Sequence, residues 1–305
     1  MKKAFFLSIF LLLSTFSFAQ QAMNQCLIDY LANLDKIQVP TGVLIEQGFP
    51  MYNLEEYQGQ VLTDSNKVDA HLFGWLYMGL ALGNVNDNTT FPNPQVYASL
   101  YADTYTGESN LPIAILNYRY NYIKNDAVQQ NLVYINNDKM YDTPNRTSSP
   151  YGETNLFIAS PMMPSSSRAN VTFSIPSTLY LSNQTVALQT IQIDLGDGSG
   201  YRTVGLGQTT GTNYTSNGEK LIKVQCTLAN GQVFESHSVL QVNDRTLAAS
   251  NPQVSSYSPP NSYNGSPDLT DVSVSGCKLS FFLHCPQQGL KKPFIFIEGF
   301  NPGKD

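Results

Sequence analysis

Charge is scarce in this sequence. Of its 305 residues, 13% are Asp, Glu, Lys or Arg, and the formal net charge is −6 with a pI near 5.0. No basic patch follows the first residues, which excludes recognition of a nucleic-acid backbone, since that needs clustered cations. Cysteine is sparse too. Cys26, Cys226, Cys277 and Cys285 are too few for a disulfide scaffold in a chain of this length. There are three histidines, His71, His237 and His284, and no C-x-x-C, no H-E-x-x-H and no G-x-S-x-G. These absences exclude the familiar local signatures of zinc sites and of serine hydrolases. They predict no cofactor and no metal. Beyond the first residues no apolar run is long enough to cross a bilayer.

One apolar run stands at the front. Lys2 and Lys3 precede residues 4–13, AFFLSIFLLL, and Ser17 and Ala19 supply small residues before Gln20. Positive start, apolar middle and small-residue exit predict a secretory signal over 1–19, and hence an exported protein, secreted or held at the outer cell surface. The low-charge remainder, rich in Asn, Ser, Thr, Gln and Tyr, suits that compartment. At 42% hydrophobic it has ample material for packed cores, and its length predicts about two domains.

Residues 20–163 read as a mixed α+β domain. Leu27, Tyr30, Leu31 and Leu34 share a helical face over 24–35. Val68, Leu72, Trp75, Leu76, Gly79 and Leu82 mark a clearer helix, with Asn66 as its cap and Gly83-Asn84 at its close. A third helix is expected over 95–105, entered through Pro92 and Pro94. The period then changes to two. IAILNYRYNYI, 113–123, puts Ala114, Leu116, Tyr118, Tyr120 and Tyr122 on one side of a strand. The row Tyr118, Tyr120, Tyr122 invites stacking on a sugar. Packing against the helices is the favoured account, since Tyr is a common sheet residue. His71 reads as a structural histidine at a helix start, and His237 as an exposed strand residue. His284 beside Cys285 is no dyad, because neighbours on a strand point to opposite faces.

PMMPSSS, 161–167, predicts a domain boundary. After it the helical signal ends and short strands follow. IDLGDGSGYRTV and NGEKLIKVQCTLANGQVFESHSVLQV carry a dense turn and a strand–NG–strand hairpin. This segment, 164–246, resembles a PKD-type module, an immunoglobulin-like β-sandwich of secreted bacterial proteins. The resemblance implies a spacer, or an aid in binding polysaccharide or a surface protein, and no catalysis. Leu195 stands where such modules carry an aromatic residue. Asp194 and Asp197 are weak calcium candidates; their spacing departs from an EF-hand loop, and a plain tight turn explains them better.

A Ser/Pro/Asn-rich linker is expected over 247–267. Then 268–305 ends in PFIFIEGFNPG, whose unbroken apolar run 294–297 fits a strand buried on both faces. KKPFIFIEGFNPG resembles the front of an α/β-hydrolase domain, in which an early strand ends at the oxyanion-hole turn. Glu298 stands where that fold usually has His. The resemblance makes Glu298, Gly299 and Phe300 the candidate oxyanion-loop positions and implies that an esterase, lipase or peptidase nucleophile lies in sequence beyond Asp305. Cys277 and Cys285, in one extended segment, would sit about 26 Å apart at ~3.3 Å per residue, which predicts that they are not joined. The expectation is therefore a multidomain chain: mixed α+β, then an all-β sandwich, then the first strands of an incomplete hydrolase-like domain. Its function is that of an accessory positioning or binding region, with a glycan- or protein-binding adhesion protein as the alternative.

Overall fold

The computed structural model describes residues 28–45, 54–84, 94–104, 107 and 110–247. All of them belong to one compact unit, Met1–Ser266. The expected signal segment, the strand 294–297, the positions Glu298, Gly299 and Phe300, His284, and the pair Cys277 and Cys285 lie outside the described residues. The elements run β1 (Leu44–Ile45), α1 (Ala70–Leu82), α2 (Pro94–Thr104), β2 (Asn110–Ile123), β3 (Val133–Asn136), β4 (Lys139–Asp142), β5 (Tyr151–Pro161), β6 (Ser165–Ser166), β7 (Asn170–Ser174), β8 (Tyr180–Ser182), β9 (Leu188–Asp194), β10 (Arg202–Thr203), β11 (Thr209–Asn213), β12 (Gly218–Leu228) and β13 (Val233–Val242). Strands dominate, and no helix among the described residues is long and apolar enough to cross a membrane.

The alternation in 113–123 produces β2, and both of its faces are covered. Ala114, Leu116, Tyr118 and Tyr120 join Phe73, Leu76 and Leu80 of α1 in a helix–sheet core. Ile113 and Ile115 enter a second core with residues of β7, β9, β12 and β13. Along one edge β5 pairs antiparallel over the whole stretch from Ile113↔Pro161 to Ile123↔Tyr151. The other edge is filled piecewise by parallel pairings. β7 takes Asn110 to Pro112, β8 takes Ile115 to Asn117, and β1 takes Asn121 and Tyr122. In the gap between β8 and β1 the side chain of Asn183 stands in for a strand. Its Oδ1 accepts from the Arg119 N–H at 2.5 Å and its Nδ2 donates to the Arg119 carbonyl at 2.8 Å. A primary amide carries the same donor and acceptor as a peptide group, so it satisfies a backbone position that would be costly to leave bare.

The helices differ from expectation in detail. α1 is capped by Asp69, whose carboxylate accepts from the Leu72 N–H at 2.7 Å. Asn66 instead closes a separate short turn, Asp64–Asn66, bonding back to the Thr63 N–H. The buried residues of α1 are Phe73, Leu76, Tyr77, Leu80, Ala81 and Leu82; Leu76 and Leu82 belong to the expected stripe, and Phe73, Tyr77 and Leu80 shift the buried face beyond it. The chain enters α2 at Pro94, as a first-turn proline allows. Tyr97 of α2 stacks on Tyr77 with centroids 4.5 Å apart. Of the first expected helix, 24–35, the described part is helical over 28–30; a turn follows, and Asn33 bridges to Tyr141. There Tyr30, Leu31 and Leu34 pack with Val133 and Met140 of the β3–β4 hairpin in a third small core.

The second large sheet has the order β10-β9-β12-β13-β6. The Asn230-Gly231 turn joins β12 to β13: Gly231 has φ 84° and its N–H donates to the Leu228 carbonyl at 2.9 Å. The segment 161–167 does not open a gap in the packing. It carries the chain from β5 to β6, which runs parallel to β13 at Gln241 and Val242. Ile113, Ile115, Phe157 and Ala159 on one side of it share a core with Ile193, Val224, Phe234 and Leu240 on the other. Prolines and serines are suited to a sheet-to-sheet crossover just as they are to a linker, which is why composition alone does not separate the two.

A strap formed by residues 54–68 closes the seam between β5 and β13. The Glu235 N–H donates to the Gly59 carbonyl at 2.7 Å and the Val68 N–H to the His237 carbonyl at 2.9 Å. Below, Ser236 Oγ accepts from the Ala159 N–H at 3.0 Å, joining the two sheets directly. Gly59 has φ +80°, and a Cβ there would fall 2.6 Å from the Phe157 Cβ. Gly198 has φ +83° with open space around it. Gly198→Ala should therefore cost only the backbone penalty of about 1 kcal/mol. Gly59→Ala should cost several-fold more, about 3 kcal/mol, because overpacking adds to it. Urea unfolding of the two variants measures the difference; equal losses would mean that the strap does not press on Phe157.

Candidate functional site

The turn DLGDGSG follows β9. Asp194 Oδ1 accepts from the Gly196 N–H and Asp197 Oδ1 from the Ser199 N–H, each at 2.9 Å. These are two successive side-chain-to-backbone turns, the local bonding that favours Asp at such corners. The other Asp197 oxygen receives Arg202 Nη2 at 2.5 Å, and Arg202 Nη1 reaches across to the Gly211 carbonyl of β11 at 2.9 Å. Arg202 thus clamps the open edge of the two facing sheets. Burial by itself would raise the Asp197 pKa. Bonds from Thr212, the Ser199 N–H and Arg202 outweigh it and bring the carboxyl down to about 2. Both calcium candidates are accordingly used by backbone and guanidinium partners. Among the described residues no three His, Cys, Asp or Glu side chains converge as a metal site.

The tyrosine row divides. Tyr118 and Tyr120 are each 2% exposed, and Tyr122 is half-buried against the same helix–sheet core. Burial raises the Tyr120 hydroxyl pKa above its ordinary value. The face that a stacked sugar would need is covered by α1. Exposed ring surface occurs instead on the β3–β4 hairpin, where Tyr134 lies parallel to Tyr141 with centroids 5.3 Å apart. The two are direct cross-strand partners.

Two of the three remaining chemical side chains are held inside the fold. Cys226 is fully buried in the core between the sheets, and burial pushes its thiol up to about 12, far from the thiolate that nucleophilic chemistry requires. His71 is exposed on the first turn of α1. His237 corrects the reading of an exposed residue: it is 4% exposed. Alternation places Phe234, Ser236 and Ser238 of β13 inward and His237 outward, opposite Lys223 of β12. The 54–68 strap then covers that outer face, a long-range contact that the alternation of β13 cannot register.

A cluster of amides escaped sequence reading. Gln184 Nε2 donates to Asn117 Oδ1 at 2.8 Å and to Asn155 Oδ1 at 2.9 Å. On the same face of β2, Arg119 pairs with Glu153 at 3.4 Å, and Asn121 Oδ1 accepts from Thr41 Oγ1 at 2.7 Å. The signal was present as Asn117, Arg119 and Asn121 alternating with the tyrosines. Their burial depends on β8 and on the loop at Asn183 and Gln184, nearly 70 residues away in sequence.

Asp197→Asn should lower stability at pH 7 by about 2 kcal/mol. A carboxyl with a depressed native pKa contributes fully above its unfolded value, 3.8, and loses that contribution as pH falls towards 2. The gap between wild type and variant should therefore close over the window from about pH 4 to pH 2. Denaturant unfolding at stepped pH reads it, and a gap independent of pH would show that the clamp acts through shape and not through charge. No family model matches this sequence, and no curated protein matches it.

Proposed function

We propose that the described body is a non-catalytic positioning or binding region of an exported, surface-facing, hydrolase-like protein, with a PKD-like sandwich as one layer and the hydrolytic chemistry outside residues 28–247. The observation that carries this reading is how the reactive side chains are used. Cys226 is sealed in a core, Asp197 is committed to Arg202, and His237 is fastened to Asn66 at 2.9 Å. Catalysis by acyl transfer needs a nucleophile within reach of a base that a third group orients. Here the candidates for each role serve separate structural tasks. The α/β-hydrolase likeness and the oxyanion-loop roles of Glu298, Gly299 and Phe300 rest on sequence resemblance.

The reading as a glycan-binding adhesion protein loses two of its three candidate contacts, because Tyr118 and Tyr120 are interior while Tyr122 is half-buried. If the region binds as well as spaces, the Tyr134–Tyr141 stack is the aromatic surface open to a partner.

The purified chain, incubated with short-chain p-nitrophenyl esters between pH 5 and 9, should release nitrophenol no faster than the same protein after heat denaturation. Saturable turnover lost on denaturation would overturn the proposal.

A further inference from the structure

The covered histidine sits in a clasp. Asn66 is its hub. Its Nδ2 donates to the Val61 carbonyl at 2.5 Å and to the Glu56 carbonyl at 3.1 Å, which fixes the amide orientation. Its Oδ1 accepts from the Thr63 N–H at 2.9 Å and faces His237 Nε2, also at 2.9 Å. An amide oxygen only accepts, so His237 Nε2 carries the hydrogen, and the neutral ring takes any further proton at Nδ1. The ring lies on β13, which is anchored to β12 over ten register pairs from Gly218↔Val242 to Thr227↔Val233. The strap consists of short turns, Leu54–Tyr57 and Asp64–Asn66, and Leu54, Tyr57 and Val68 fix its two ends in the helix–sheet core, which leaves the stretch 58–67 between them resting on β13. If the ring must gain water, that stretch is the part that can yield.

We propose that the middle of the strap, 58–67, is an acid-released clasp: a proton on His237 puts a cation under it, and this stretch lifts from β13. Burial, the largest effect, holds the His237 pKa below its ordinary value. The Thr63 backbone bond and Asp64 work against that, and Lys67 on the strap and Lys223 on β12 reinforce it. Glu235, next on the same face of β13, is engaged by the Tyr201 hydroxyl. For a base with a depressed native pKa, the contribution to strap closure is complete above the ordinary value of 6.5 and declines as pH falls below it. Lifting removes Gly59 from Phe157 and Phe234, whose rings stack with centroids 5.5 Å apart. Mild acid thus uncovers an aromatic pair that is closed at neutral pH.

Hydrogen exchange of the intact chain at pH 7.5 and 5.0, with labelling times scaled for the intrinsic rate, tests this. The Glu235 amide, which is bonded to the Gly59 carbonyl, should lose protection relative to amides of β2, about tenfold for each unit by which the His237 pKa is depressed. His237→Gln, which can still donate to Asn66 but cannot ionise, should keep its protection at pH 5.0. The imidazole resonances of the wild type should titrate below 6.5. Protection unchanged by pH in the wild type, an equal loss in His237→Gln, or a titration at or above 6.5 would each overturn the clasp.

Discussion

The structure depends on a single strand that is covered on both faces and bonded on both edges. β2 buries Ala114, Leu116, Tyr118 and Tyr120 beneath the helices and Ile113 and Ile115 between the sheets. Each of its backbone groups needs a partner in that dry setting. β5 serves one edge without interruption. The other edge is served by β7, β8, the amide of Asn183 and β1 in turn. The helical layer and the facing sheet are therefore not independent. Each stands on the same strand, and displacing it would open both cores.

That arrangement explains which features were legible in the sequence. The period-two pattern of 113–123, the NG hairpin and the Pro94 entrance are local signals, and each appears within a few residues of its expected place. What failed were judgements that need a distant partner. Asn66 satisfies the local rule for a helix cap, yet Asp69 takes that role and Asn66 meets a histidine 171 positions away. His237 alternates outward as expected, and only the strap makes it interior. The composition break at 161–167 is real, but a crossover between sheets and a linker draw on the same residues. For the tyrosine row the sequence favoured packing on the helices, and Phe73, Leu76 and Leu80 supply those contacts.

The same logic bears on chemistry. A weakly charged protein offers few ionisable groups, and here the ones with strong partners hold edges together. Arg202 and Asp197 clamp the open side of the facing sheets. Ser236, Gly59 and His237 close the opposite side. The first closure relies on a charge pair and the second on backbone bonds around a titratable ring, so the two sides of the sandwich answer differently to acid.

The central claim is that β2 couples the two cores into one cooperative body. Ile115→Ala removes a side chain from the core between the sheets, and Leu116→Ala removes its neighbour from the helix–sheet core. Each should cost about 2–5 kcal/mol. In thermal unfolding followed by calorimetry, both substitutions are predicted to lower the same transition, with matching calorimetric and van't Hoff enthalpies for that transition. If Ile115→Ala shifted one transition and Leu116→Ala a different one, the cores would be separate units and the account would be contradicted.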